Sequence, residues 1–113
     1  MNFLKQITIF HDKNASMQLS ANSQALYYSL LNINNKCGWI EEFSVANTLL
    51  CAMLGISCSA LIRARDELIK NELLLYKSAG GKKAGTYRIV ELEPQKNTYS
   101  DAQAAHKAEH KIK

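Results

Sequence analysis

The sequence predicts a mainly α fold closed by a small β-hairpin, and three observations carry that prediction. Apolar residues recur at helical spacing in four segments. Two of those segments are joined by a short turn that contains glycine. A glycine-rich stretch further on separates two runs of strand-forming residues. A length of 113 residues suits one domain with tails. Apolar residues at 47% and charged residues at 21% exclude a wholly disordered chain. No apolar stretch approaches the roughly 20 residues of a membrane-spanning helix.

Phe3, Leu4, Ile7, Phe10 and His11 predict a short first helix with one apolar stripe, followed by a break over residues 12–16. Ser20 is placed to cap a second helix that runs to about Ile33, with Leu26, Leu30 and Ile33 on one face and Tyr27 and Leu31 beside it. Asn34, Asn35, Lys36 and Gly38 favour its end. Alternation from Trp39 to Phe43 predicts a very short strand. Ser44 then caps a third helix, its apolar line drawn from Val45, Leu49, Ala52 and Met53, and Gly55 ends it. Ser57 caps a fourth helix with Leu61, Ala64 and Leu68 as its core line. Residues 73–78 and 86–92 read as an antiparallel hairpin around AGGKKAG. This order predicts a winged helix-turn-helix with an extra N-terminal helix, in which the short strand completes the sheet beside the hairpin.

Residues 1–16 are therefore an N-terminal helix and a candidate self-association element, and residues 17–93 form the winged-helix domain. Residues 94–113 form a polar tail, disordered or at best a marginal helix.

Charge is more informative by location than by total. The net charge of +4 permits an acidic partner. Residues 57–92 hold seven basic and four acidic groups, and residues 76–90 hold Lys77, Lys82, Lys83 and Arg88 with no acid. On the fourth helix Ser59, Arg63, Asp66 and Lys70 share one face opposite the core line. A helix laid in a major groove offers short polar side chains at its start and a bidentate arginine further along. Ser57 and the first amides are placed to hold a phosphate. Double-stranded DNA is thus the expected partner, contacted by Ser57, Ser59, Arg63, Lys70, Lys77, Lys82, Lys83 and Arg88. The alternative is a merely solvated face and turn; agreement of element order with charge location favours contact. Arg65 falls between Ile69 and Leu61 and points partly inward, so it is expected to be structural, paired with Glu41 or Glu42 or stacked on Trp39 or Tyr76.

The stretch from Leu19 to Val90 resembles the N-terminal winged-helix domain of phage replisome organisers, relatives of the DnaD-like replication initiation proteins of Gram-positive hosts. The resemblance covers 72 of 113 residues. It rests on LSANSQALYYSLLNINNKCGW, FSVANTLL, GISCSALIRARDEL and LLLYKS…GTYRIV, and most specifically on INNK-x-GW and RARDEL. The opening NFLKQITIFHD is similar to that family's first element. The resemblance implies DNA binding in replication initiation or primosome assembly. It also implies a homo-dimer or oligomer formed through the N-terminal region, and a helicase loader or other replication protein as a further partner. Glu72 stands where the family often has the glycine that ends the recognition helix, so Asn71 is expected to take the left-handed position. Cys58 replaces a basic residue common at the helix start, which weakens one expected phosphate contact.

No catalytic set is evident, and the chain is not expected to be an enzyme. GGKKAGT has the wrong order for a phosphate-binding loop and reads as a turn. His106 and His110 are four apart but lack a third ligand, so no metal or cofactor is expected. His11 beside Asp12 reads as surface, and Tyr27, Tyr28 and Trp39 read as packing rather than a stacking platform for bases. Cys37, Cys51 and Cys58 are spaced like neither a zinc nor a redox pair, which suggests a reducing cytoplasm, with Cys51 inside the core. Two other functions use the same fold: a transcriptional repressor with the same surface, or a protein-interaction adaptor that does not bind DNA.

Overall fold

Side-chain caps set the starts of three of the four helices among the described residues. The computed structural model describes residues 2–81 and 83–94. The tail from residue 95 on, with His106 and His110, and Lys82 at the turn lie outside the described residues. The Oδ1 of Asn2 accepts from the Lys5 amide and starts α1, Phe3–Met17. Ser20 Oγ accepts from the Ser23 amide and starts α2, Ala21–Lys36. Strand β1, Phe43–Val45, precedes α3, Asn47–Leu54. Ser57 Oγ accepts from the Ala60 amide and starts α4, Cys58–Lys70. The hairpin strands are β2, Leu74–Lys77, and β3, Gly85–Ile89. Each of these caps supplies an acceptor to one of the amides that a helix start leaves unpaired.

The three strands form one antiparallel sheet in the order β1-β3-β2, with Tyr87 opposite both Phe43 and Tyr76. Alternation puts Leu74, Tyr76, Tyr87 and Ile89 on the inner face against the helices, and Leu75, Lys77 and Arg88 on the outer face. The fold is the expected winged helix with an added N-terminal helix. Its core centres on Leu26, Tyr27, Leu30 and Leu31 of α2, all fully buried. Phe10 of α1 stacks on Tyr27 with ring centroids 3.9 Å apart.

Several boundaries differ from the sequence reading. Helix α1 does not break at residues 12–16; it continues to Met17, where Gln18 takes a left-handed conformation. No glycine or proline interrupts that stretch, and Met17 and Leu19 draw it onto the core. Its inward face is Phe3, Gln6, Ile7, Ile9 and Phe10, whereas Leu4 and His11 are exposed. Helix α2 runs one turn past Ile33, because the left-handed residues that end it are Gly38 and Trp39. With Trp39 at φ +61°, the strand begins only at Phe43. Ser44 is therefore the outward residue of β1 rather than a cap, and Ala46 starts α3 with no side-chain hydrogen bond.

The buried line of α3 is also shifted. Leu50 is fully buried, and Asn47, Cys51 and Leu54 flank it; Leu49, Ala52 and Met53 face out. Gly55 ends α3 in the left-handed region, and α4 leaves at 97° to it. At the end of α4, Glu72 and not Asn71 adopts positive φ. The Leu73 amide donates to the Leu68 carbonyl and the Glu72 amide to that of Ile69, a Schellman closure. That closure requires the left-handed residue one position beyond the cap.

Candidate nucleic-acid interface

Helix α4 packs through Leu61, Ala64, Arg65 and Leu68. Helical spacing then turns Ser59, Arg63, Asp66 and Lys70 outward, and all four are exposed. Exposed Ile62 adds an apolar residue to that side, which the charge pattern had passed over. The Ser57 cap occupies the Ala60 amide, while Ser57 Oγ and Ser59 Oγ lie 3.4 Å apart at the positive end of the helix. Lys83 is exposed at the hairpin turn, where its amide donates to Gly80.

The structure therefore brings Ser57, Ser59, Arg63 and Lys70 together on one helix and puts Lys83 at the wing tip. Lys77 and Arg88 do not join them. Both lie on the outer face of the sheet, while α4 packs under the inner face. Arg88 is moreover paired there with Glu41.

Arg65 is 7% exposed. Its guanidinium lies 3.9 Å from the centroid of the Tyr76 ring, one of the two stacking partners expected from sequence. Its Nη1 donates to Asn47 Oδ1 and to the Tyr87 hydroxyl, each at 3.0 Å. Glu41, Glu42 and Trp39 are not its partners: Glu41 holds Arg88, and Trp39 packs on Phe3. Burial pushes the Tyr87 hydroxyl above its ordinary pKa, opposed by Arg65 beside it.

Two supports of this surface escape a reading of the sequence. Glu67, one turn from Arg63, accepts from the Ser23 and Ser20 hydroxyls and from the Ser20 amide, tying α4 to the start of α2. Those hydrogen bonds, led by Ser23, hold its carboxyl below the ordinary range. Gln6 is 2% exposed. Its amide donates to the Tyr27 hydroxyl at 2.8 Å and to the Val90 carbonyl at 2.9 Å, and accepts from the Leu92 amide at 3.0 Å. A polar residue on an otherwise apolar stripe is the only sequence signal for it.

Among the described residues, no group of three or more His, Cys, Asp or Glu side chains is placed to hold a metal, and no single helix is long and apolar enough to cross a membrane. Cys37 and Cys58 are exposed, and Cys51 is half-buried at the edge of the core.

The chain is similar in fold to two solved structures. One, described as "Structure of Rep-DNA complex", has a TM-score of 0.61 at 17% identity, covering 94% of this chain and 85% of that one. The other, described as "N-Terminal domain of DNA binding protein", has a TM-score of 0.56 at 17% identity, covering 84% and 76%. No family model and no curated protein sequence matches the chain.

Proposed function

We propose that this chain is a DNA-binding winged-helix module that acts in replication initiation. In this reading α4 lies in a major groove, with Ser57 and Ser59 at its entry, Arg63 reading a base edge and Lys70 on the backbone. Lys83 at the wing tip reaches a neighbouring phosphate. The observation that carries the reading is the exposed polar and basic stripe on the capped second helix of the helix-turn-helix, next to an acid-free wing. Two further points support it: the fold is shared with proteins described as DNA-binding and as a Rep-DNA complex, and the sequence resembles replisome organisers. The resemblance is what favours replication over repression.

Phosphate contact releases counterions, so log K should fall with log salt by about 0.9 per phosphate neutralised. A single module should bind mixed-sequence duplex with a Kd on the order of 10⁻⁴–10⁻⁶ M at physiological salt. Fluorescence anisotropy titrations of the protein and its Arg63→Ala and Lys70→Ala variants test this. Weaker binding is expected in both variants, with a shallower salt slope for Lys70→Ala. Equal binding in all three would remove α4 from the interface.

A further inference from the structure

We infer that Arg65 is a positioning residue for this surface: it clamps the β2–β3 ribbon to the helix-turn-helix, so that wing and recognition helix present their charges as one rigid unit. The inference rests on the function proposed above and assigns Arg65 no contact with DNA.

The geometry begins with a cost. A buried guanidinium must replace its lost hydration, and an apolar residue of similar volume would fill the space without that penalty. Among the described residues no carboxylate offsets Arg65, since Glu41 is taken by Arg88. Three neutral groups compensate instead, each on a different element. Asn47 is the first residue of α3, Tyr76 is on β2 and Tyr87 is on β3. Arg65 itself belongs to α4. One planar side chain thus ties both helices of the helix-turn-helix to both strands of the wing, using one terminal nitrogen for two acceptors and a face for a ring.

Gly85 completes the clamp. A Cβ at this position would run into the ring and hydroxyl of Tyr76. The backbone at Gly85 does not take a positive φ, so its missing side chain, not backbone freedom, is what the site requires. Tyr76 lies across that gap, against Tyr87 at a centroid distance of 4.8 Å and over Arg65. Without the clamp the ribbon keeps its own strand pairing but loses its fixed angle to α4, and a lysine at the wing tip no longer acts in concert with α4.

The test uses the full chain, a labelled mixed-sequence duplex and a salt series. Arg65→Met should stay cooperatively folded by circular dichroism. It should bind about tenfold more weakly, and its salt slope should fall by about 0.9 for each wing phosphate lost. Lys83→Ala should weaken the wild type but add little in the Arg65→Met background, because the wing is already uncoupled. Gly85→Ala should reproduce Arg65→Met by displacing Tyr76, whereas Tyr76→Phe, which keeps the ring, should match the wild type. If Arg65→Met does not fold, Gly85→Ala and its combination with Lys83→Ala decide the matter. Additive losses with an unchanged slope, while the wild type binds duplex, would overturn this inference alone. A wild type with no duplex affinity at low salt would overturn the proposed function and this inference with it.

Discussion

Gln6 joins parts of the chain that no local rule connects. Its amide spans α1, Tyr27 of α2 and the segment after β3, with partners up to 86 positions away. Removing it strands the Leu92 amide and the Val90 carbonyl, and unpaired buried polar groups cost about 1–3 kcal/mol each. Gln6→Ala should therefore lower stability by about 2–4 kcal/mol, read as a shift of the urea midpoint. Glu72 makes the opposite case. It occupies the left-handed position at the end of α4, where a side chain costs about 1–2 kcal/mol and a negative charge opposes the helix dipole. Glu72→Gly should stabilise the protein by about 0.5–1 kcal/mol once the extra chain entropy of glycine is subtracted. An unchanged or lower urea midpoint would show that the Schellman closure holds glutamate without strain.

Helix α3 shows what an eight-residue element leaves ambiguous. Leu49 and Leu50 are adjacent, both apolar, and either could begin the buried line. A helix of two turns contains too few residues for its periodicity to choose. The choice is made by β1, which takes Val45 and Ser44 out of the helix, and by the 97° departure of α4. Leu50→Ala should cost about 2–5 kcal/mol and Leu49→Ala less than about 0.5 kcal/mol. Equal losses in the two variants would place the helix in the wrong rotation. By contrast, α4 was legible in detail: Ser57 caps it, and Leu61, Ala64 and Leu68 are its buried line. Its 13 residues hold enough turns for the pattern to be unique. The ends of α2 and α1 were less legible, because a helix continues through neutral residues until a left-handed position or a neighbour stops it.

For the whole molecule, the core sets the response to alkali. Tyr27 sits at its centre, and burial pushes its hydroxyl up to about 12 from the ordinary value near 10, against a smaller opposite effect from the Gln6 hydrogen bond. The folded state thus holds that proton more tightly than the unfolded chain. Its contribution is complete below pH 10 and is lost as pH rises from 10 toward 12. Equilibrium stability followed by circular dichroism should therefore fall in that range, and Tyr27→Phe should flatten the loss. Glu67 acts at the other end of the scale. Its lowered carboxyl contributes above the ordinary glutamate range, and that contribution fades as pH falls through the folded value.

The sequence alone determined the caps at Ser20 and Ser57, the stop at Gly55, the hairpin around its glycine-rich turn and the order of elements that makes a winged helix. Each is decided within a few residues, by a hydrogen bond, a dihedral or a short alternation, so neighbouring letters record it. The tertiary structure decided the rotation of α3, the full length of α1, the Gln6 junction and the four-element seat of Arg65. It also sent Lys77 and Arg88 to the far face of the sheet. Those outcomes depend on which distant groups meet when the core closes, and packing of surfaces far apart in the chain leaves no local signature.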